Sequence, residues 1–150
     1  MNIGQAGIDL IKSYEKCRLR AYLPTPDDVW TIGFGHCGPD VDETTLWTQE
    51  RADAAFLADI AWVERCVNKA VTAQVNQNEF DAMCSLCFNI GCTAFSGSTL
   101  VKLLNAADYD GASQAFMSWN KQRSKTTGKL EPVTGLTRRR AEETALFDTA

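Results

Sequence analysis

Apolar positions at Ile3, Gly7, Leu10, Ile11 and Tyr14 recur every three or four residues, the period that gathers side chains on one face of an α-helix. The spacing predicts a short amphipathic helix over residues 3–14. Glu15 falls at its end, four residues after Ile11 and seven after Ile8, so its side chain should project beside the apolar stripe. At Arg18 the period changes to two. Leu19, Ala21 and Leu23 alternate with Arg18, Arg20 and Tyr22, which predicts a strand. Pro24, Thr25, Pro26, Asp27 and Asp28 then supply turn chemistry, since proline fixes φ and aspartate bonds its own backbone. A second strand is expected from Val29 to Phe34, making residues 18–35 a hairpin.

Helical spacing returns after a polar stretch. Thr48 and Glu50 mark a start, and Ala52, Phe56, Ile60, Val63 and Val67 continue a long helix. Asn76 and Glu79 have capping-box spacing, followed by a stripe of Phe80, Met83, Cys84, Cys87, Phe88 and Gly91. Three shorter helices are expected near residues 99–106, 108–119 and 137–147, with a polar loop around Ser124 to Lys129. The pattern as a whole predicts a small α+β region followed by an all-helical bundle.

A chain of 150 residues, 45% hydrophobic and 23% charged, suits one compact domain and excludes a disordered or fibrous protein. Its net charge of −4 provides no global field for nucleic acid, and no apolar run is long enough for stable membrane insertion. Arg138, Arg139 and Arg140 read as a solvated helix face pairing with Glu142 and Glu143. The first residues reach Asp9 and Lys12 before any apolar run long enough for a signal peptide, so no secretory signal is expected and a disulfide framework among the six cysteines is a weak reading. Cys84 and Cys87 instead read as small buried thiols. A metal site is not expected, because zinc spacing would need a second CxxC or a histidine pair and His36 is the sole histidine. As a lone histidine, His36 reads as a hydrogen-bonded structural group. No cofactor motif is present, and no serine lies in a GxSxG context.

Glu15 gains chemical interest from the residues downstream. The hairpin with its acidic turn comes next, then Thr31-Ile32-Gly33-Phe34-Gly35-His36, whose two glycines allow close approach of backbone to a ligand. Glycosidic cleavage requires one carboxylic acid to protonate the leaving oxygen and a second group to stabilise the transition state or activate water. A carboxyl half buried beside Ile8 and Ile11 suits the acid, because burial favours the neutral form. Asp27 and Asp28 in a solvated turn suit the second role, and the Thr31 hydroxyl could position water.

Taken together, several segments make the chain resemble the phage-type lysozymes, or endolysins, of glycoside hydrolase family 24. They are residues 13–19 (SYEKCRL), 29–36 (VWTIGFGH), 78–82 (NEFDA), 88–91 (FNIG) and 135–143 (GLTRRRAEE). The resemblance spans essentially the whole chain. It implies a lysozyme-like α+β fold with a small N-terminal β-hairpin lobe and a larger helical lobe joined by a long helix. Residues 1–150 would then form one two-lobed domain, divided at about 15–47, 48–72 and 73–150. The activity implied is hydrolysis of the β-1,4 bond between N-acetylmuramic acid and N-acetylglucosamine in peptidoglycan. A monomer is expected, held in the host cytoplasm until a separate holin opens the membrane and thereafter acting in the periplasm and cell wall.

The family's catalytic Glu corresponds to Glu15 and its Thr to Thr31. Its Asp, nine residues after the Glu, meets Pro24, because the turn carries one extra residue. Either Asp27 or Asp28 reaches the same space, or the site works with Glu15 and Thr31 alone. We take the first reading, with Asp28 ahead of Asp27. Gly33 and Phe34 should line the cleft beside Glu15 and bind substrate, and the resemblance implies Phe88 and Ser98, on the opposite helical lobe, as sugar contacts, although Phe88 lies on the core stripe. A lytic transglycosylase using Glu15 and an inactive glycan-binding relative are the rival functions.

Overall fold

The computed structural model describes all residues, 1–150. In chain order it contains α1 (Gln5–Tyr14), β1 (Arg18–Tyr22), β2 (Thr31–Gly33), β3 (His36–Cys37), α2 (Gln49–Ala70), α3 (Gln77–Ile90) and α4 (Cys92–Ser96). Next come α5 (Thr99–Asn105), α6 (Tyr109–Ala115), a 3₁₀ turn (Phe116–Trp119), β4 (Lys121–Arg123), β5 (Leu130–Pro132) and α7 (Thr134–Phe147). The chain divides into two compact units, residues 11–62 and residues 1–10 with 63–150.

In the unit of residues 11–62, the expected hairpin is a three-stranded antiparallel sheet in the order β1-β2-β3. Thr31 pairs with Tyr22 on one side and with Cys37 on the other. The second strand ends at Gly33 because Gly33 and Gly35 have φ of +65° and +77°, turning the chain straight back into β3. Ala21, Ile32 and Val41 form a small core covered by Trp30 and Trp47.

In the other unit, α3 begins with the expected capping box: Asn76 accepts from the Glu79 amide, and the Glu79 side chain accepts from the Asn76 amide. Its stripe of Phe80, Met83, Cys84, Leu86 and Cys87 is buried among Phe95, Leu100, Leu104, Phe116 and Phe147. The thiols of Cys84 and Cys87 sit in that core as expected, and burial pushes Cys87 up to about 12. Buried Asp81 accepts the Gly4 amide at 2.8 Å and the Gly7 amide at 3.2 Å, capping α1 from a residue more than seventy positions away.

The structure corrects three expectations. The arginine run is not a solvated face: Arg138 alone is exposed, pairing with Glu142, whereas Arg139, Arg140, Glu143 and Ser85 are buried together. Glu143 lies 2.6 Å from Nε of Arg140 and 3.3 Å from Nε of Arg139 and accepts from Ser85, so burial raises its pKa against the pull of two guanidiniums. Helical spacing carries Arg139, Arg140 and Glu143 inward together, and each supplies the others' missing hydration. The second correction concerns the bundle, which is not all-helical, because residues 121–132 form the hairpin β4–β5 around the expected polar loop. The third concerns the cysteines: Cys66 of α2 and Cys92 of α4 are joined by a disulfide, with Cα atoms 5.9 Å apart, a pairing visible only once the helices are packed.

Candidate functional site

Glu15 continues the helical hydrogen bonding one residue beyond α1, its amide donating to the Ile11 carbonyl at 2.9 Å. Its half-buried carboxylate lies against the backbone of Gly35. A Cβ placed on Gly35 would be 2.6 Å from Oε2 of Glu15, closer than any ordinary contact. The site thus requires glycine at position 35 twice over, for its positive φ and for the room it leaves the acid. The motif containing Gly35 was evident in the sequence, but its partner was not.

Thr31 is buried in the central strand, and its hydroxyl donates to the Val29 carbonyl at 3.0 Å. With that proton committed, the oxygen's lone pairs remain to accept from a water. Asp28 sits in the preceding turn, where its amide donates to the Thr25 carbonyl and its Oδ1 accepts from the Val29 amide at 2.9 Å.

The pairing partners of Thr31 report where the charges lie. The Tyr22 phenol is raised by burial and then by the negative charge of Glu15; Arg18, stacked 4.5 Å from its ring centroid, opposes this, and Asp28 adds to it. Burial and then Asp28, Asp59 and Asp40 raise the Cys37 thiol. The charge of Asp28 therefore reaches both strand neighbours of Thr31, and that of Glu15 reaches one of them. Tyr22, paired with Thr31, is a further candidate that its alternation with Leu19 and Ala21 did not single out.

Gly33 is buried, and a Cβ there would meet Trp47 at 3.0 Å. Phe34 packs edge-on against Phe56 with centroids 5.1 Å apart, and the Lys12 ammonium lies 5.0 Å from its ring centroid. His36 is hydrogen-bonded as expected: Nδ1 lies 2.9 Å from Asp59 and Nε2 3.3 Å from Asp40. Phe88 and Ser98 belong to the other unit. Phe88 packs on the helical core, and the buried Ser98 hydroxyl caps α5, accepting from Val101 and donating to the Phe95 carbonyl. No group of three or more His, Cys, Asp and Glu side chains is placed to hold a metal ion.

Residues 12–143 match the sequence profile described as phage lysozyme. The chain belongs to the phage lysozyme family. An endolysin from Acyrthosiphon pisum secondary endosymbiont phage 1 is 46% identical over 150 residues, covering all of both chains. The endolysin of Salmonella phage P22 is 40% identical, covering 98% of each chain. Among solved structures, the muramidase domain of SpmX from Asticaccaulis excentricus superposes with a TM-score of 0.88 at 38% identity, covering 99% of each chain. The α+β lysozyme-like fold expected from the sequence is thus established, and this member is a glycoside hydrolase of the lysozyme type.

Proposed function

We propose that this endolysin degrades bacterial peptidoglycan by hydrolysing the β-1,4 bond between N-acetylmuramic acid and N-acetylglucosamine, with Glu15 as general acid and Asp28 as the second carboxylate. The observation that supports the reading is the Glu15 carboxylate seated against Gly35, two residues beyond the strand that carries Thr31, with Asp28 fixed in the preceding turn by the Val29 amide.

In this reading Glu15, seated on the open backbone of Gly35, protonates the departing glycosidic oxygen. As the bond breaks, positive charge develops on the sugar ring, and the Asp28 carboxylate, fixed by the Val29 amide, opposes it electrostatically. Thr31, its proton held by the Val29 carbonyl, accepts a hydrogen bond from the water that completes the cleavage, and the proton this water loses as its oxygen bonds the sugar passes to the Asp28 carboxylate. Gly33 and Phe34 hold the turn that carries Gly35. Phe88 and Ser98 retain structural roles in the helical unit, and their contact with sugar is a secondary proposal.

The test compares the parent with Glu15→Gln on purified sacculi. Muramic reducing ends released by the parent and lost in the variant support the reading; equal release by both overturns it. Anhydromuramic ends would indicate that the sugar's own hydroxyl attacks, as in a lytic transglycosylase. Binding without product would indicate an inactive glycan-binding relative. No helix is long and apolar enough to cross a membrane. We further propose that the enzyme is a monomer that waits in the host cytoplasm and reaches the wall through a separate holin; lysis by the enzyme expressed alone would overturn that dependence.

A further inference from the structure

Thr31 has one cross-strand neighbour on each side, Tyr22 in β1 and Cys37 in β3. Directly paired residues share a face of the sheet with Cβ atoms about 5 Å apart, so the phenol and the thiol flank the Thr31 hydroxyl. Tyrosine stands there because the ladder is irregular. Arg18 lies opposite Gly33 and Tyr22 opposite Thr31, so the five residues of β1 face the three of β2. An unbroken ladder from Arg18 would have put Arg20 opposite Thr31; the bulge puts Tyr22 there instead.

The bulged residues are held from their other edge. The Trp47 amide donates to the Leu19 carbonyl at 2.8 Å and the Ala21 amide to the Thr45 carbonyl at 3.0 Å, with Arg20 bridged to Leu46. The ring of Tyr22 is half-buried, and the Arg18 guanidinium lies over it, 4.5 Å from its centroid. The backbone is thus fixed on both edges and the ring is covered on one face, whereas the hydroxyl has no hydrogen-bonding partner in the protein.

An attacking water has two protons and two lone pairs to place. In the proposed cleavage one proton points to Thr31 Oγ and the other passes to the Asp28 carboxylate. One lone pair bonds the anomeric carbon as the glycosidic bond breaks and the departing oxygen takes the Glu15 proton. The second lone pair still calls for a donor. Thr31 cannot supply it, because its own proton is held by the Val29 carbonyl at 3.0 Å. Of its two neighbours, the Cys37 thiol is a weak donor and the Tyr22 phenol a strong one. Burial and then the charge of Glu15 raise that phenol, Asp28 adding to the rise and Arg18 opposing it, so the proton stays on it through neutral pH.

We propose that Tyr22 is a catalytic residue whose hydroxyl donates a hydrogen bond to the second lone pair of the attacking water, so that Thr31, Asp28 and Tyr22 together fix the direction of attack. Tyr22 keeps its proton throughout. The proton the water loses ends on Asp28, and its other proton remains on the new anomeric hydroxyl. The assignment rests on the hydrolytic reading of the site.

The experiment measures release of muramic reducing ends from sonicated peptidoglycan. Tyr22→Phe keeps the ring and its Arg18 stack and removes only the hydroxyl. We expect kcat about tenfold lower with KM within about twofold, and an unchanged thermal midpoint. In a Thr31→Ala background, where the water has already lost one of its anchors, adding Tyr22→Phe should cost less than about twofold more, because groups that hold one molecule are not additive. A fluorinated tyrosine at position 22, whose phenol ionises within the assay range, should add a descending limb to the pH profile, activity falling as the donor loses its proton. The parent should lack that limb.

A parent-like kcat in Tyr22→Phe, a loss confined to KM, losses that multiply fully in the double variant, or a fluorinated protein without the extra limb overturns the assignment. Muramic ends that vanish in Glu15→Gln but persist undiminished in Tyr22→Phe would leave the hydrolytic reading standing and this assignment overturned. Anhydromuramic ends from the parent would overturn the hydrolytic reading itself, and with it the water that Tyr22 is assigned to hold.

Discussion

Oε2 of Glu15 lies 2.6 Å from where a Cβ on Gly35 would stand, so the acid occupies space that only glycine leaves open. Gly35→Ala should therefore reduce cleavage at least about tenfold by displacing the carboxylate, with a stability loss of about 1–2 kcal/mol from the left-handed backbone. Initial rates on sacculi and a urea titration check both. Gly128→Ala, with a similar φ and open space around it, should cost stability without touching the rate.

The two turn aspartates should separate cleanly. Asp28→Asn removes the charge that reaches both partners of Thr31 and should lower kcat by about a hundredfold or more. Asp27→Asn should change it by less than about threefold. Reversal of that order would transfer the role to Asp27, and no effect from either would leave a site of Glu15 and Thr31.

His36 gives stability a pH dependence. Burial alone would lower its pKa, but the Asp59 and Asp40 carboxylates outweigh it and hold it above the ordinary value. A histidine raised in the folded state contributes stability that is complete below its unfolded pKa of about 6.5 and is lost as pH rises through the folded value. Asp59→Asn should thus lower the unfolding free energy more at about pH 5.5 than at about pH 8.5, by no more than about 1 kcal/mol in a urea titration, because both carboxylates are partly solvated. Asp40 shifts the other way: burial is the largest single influence and raises it, but the His36 hydrogen bond, its own backbone amide and the charges of His36 and Arg51 together lower it, and its contribution fades as pH falls through the folded value.

The Cys66–Cys92 bridge closes a separation of 26 residues. Its reduction should cost about 3 kcal/mol through the freedom returned to the unfolded chain. A thermal midpoint that falls with dithiothreitol in the parent but not in Cys92→Ser would confirm it. An unchanged midpoint in the parent would show that the bridge does not form.

Local periodicity was enough to place α1, β1, α2 and the capped start of α3, because each depends on side chains within a few positions of one another. It also put Glu15 at a helix end and Thr31 in a strand, and left the choice among the turn carboxylates open. What the sequence could not determine depends on which distant backbones meet. Gly35 against Glu15, Thr31 between Tyr22 and Cys37, Cys66 beside Cys92 and the burial of Arg139 and Arg140 around Glu143 all arise when separate elements pack. A helix pattern records which residues share a face; whether that face meets solvent, a thiol or a second charge is set by its neighbour in space.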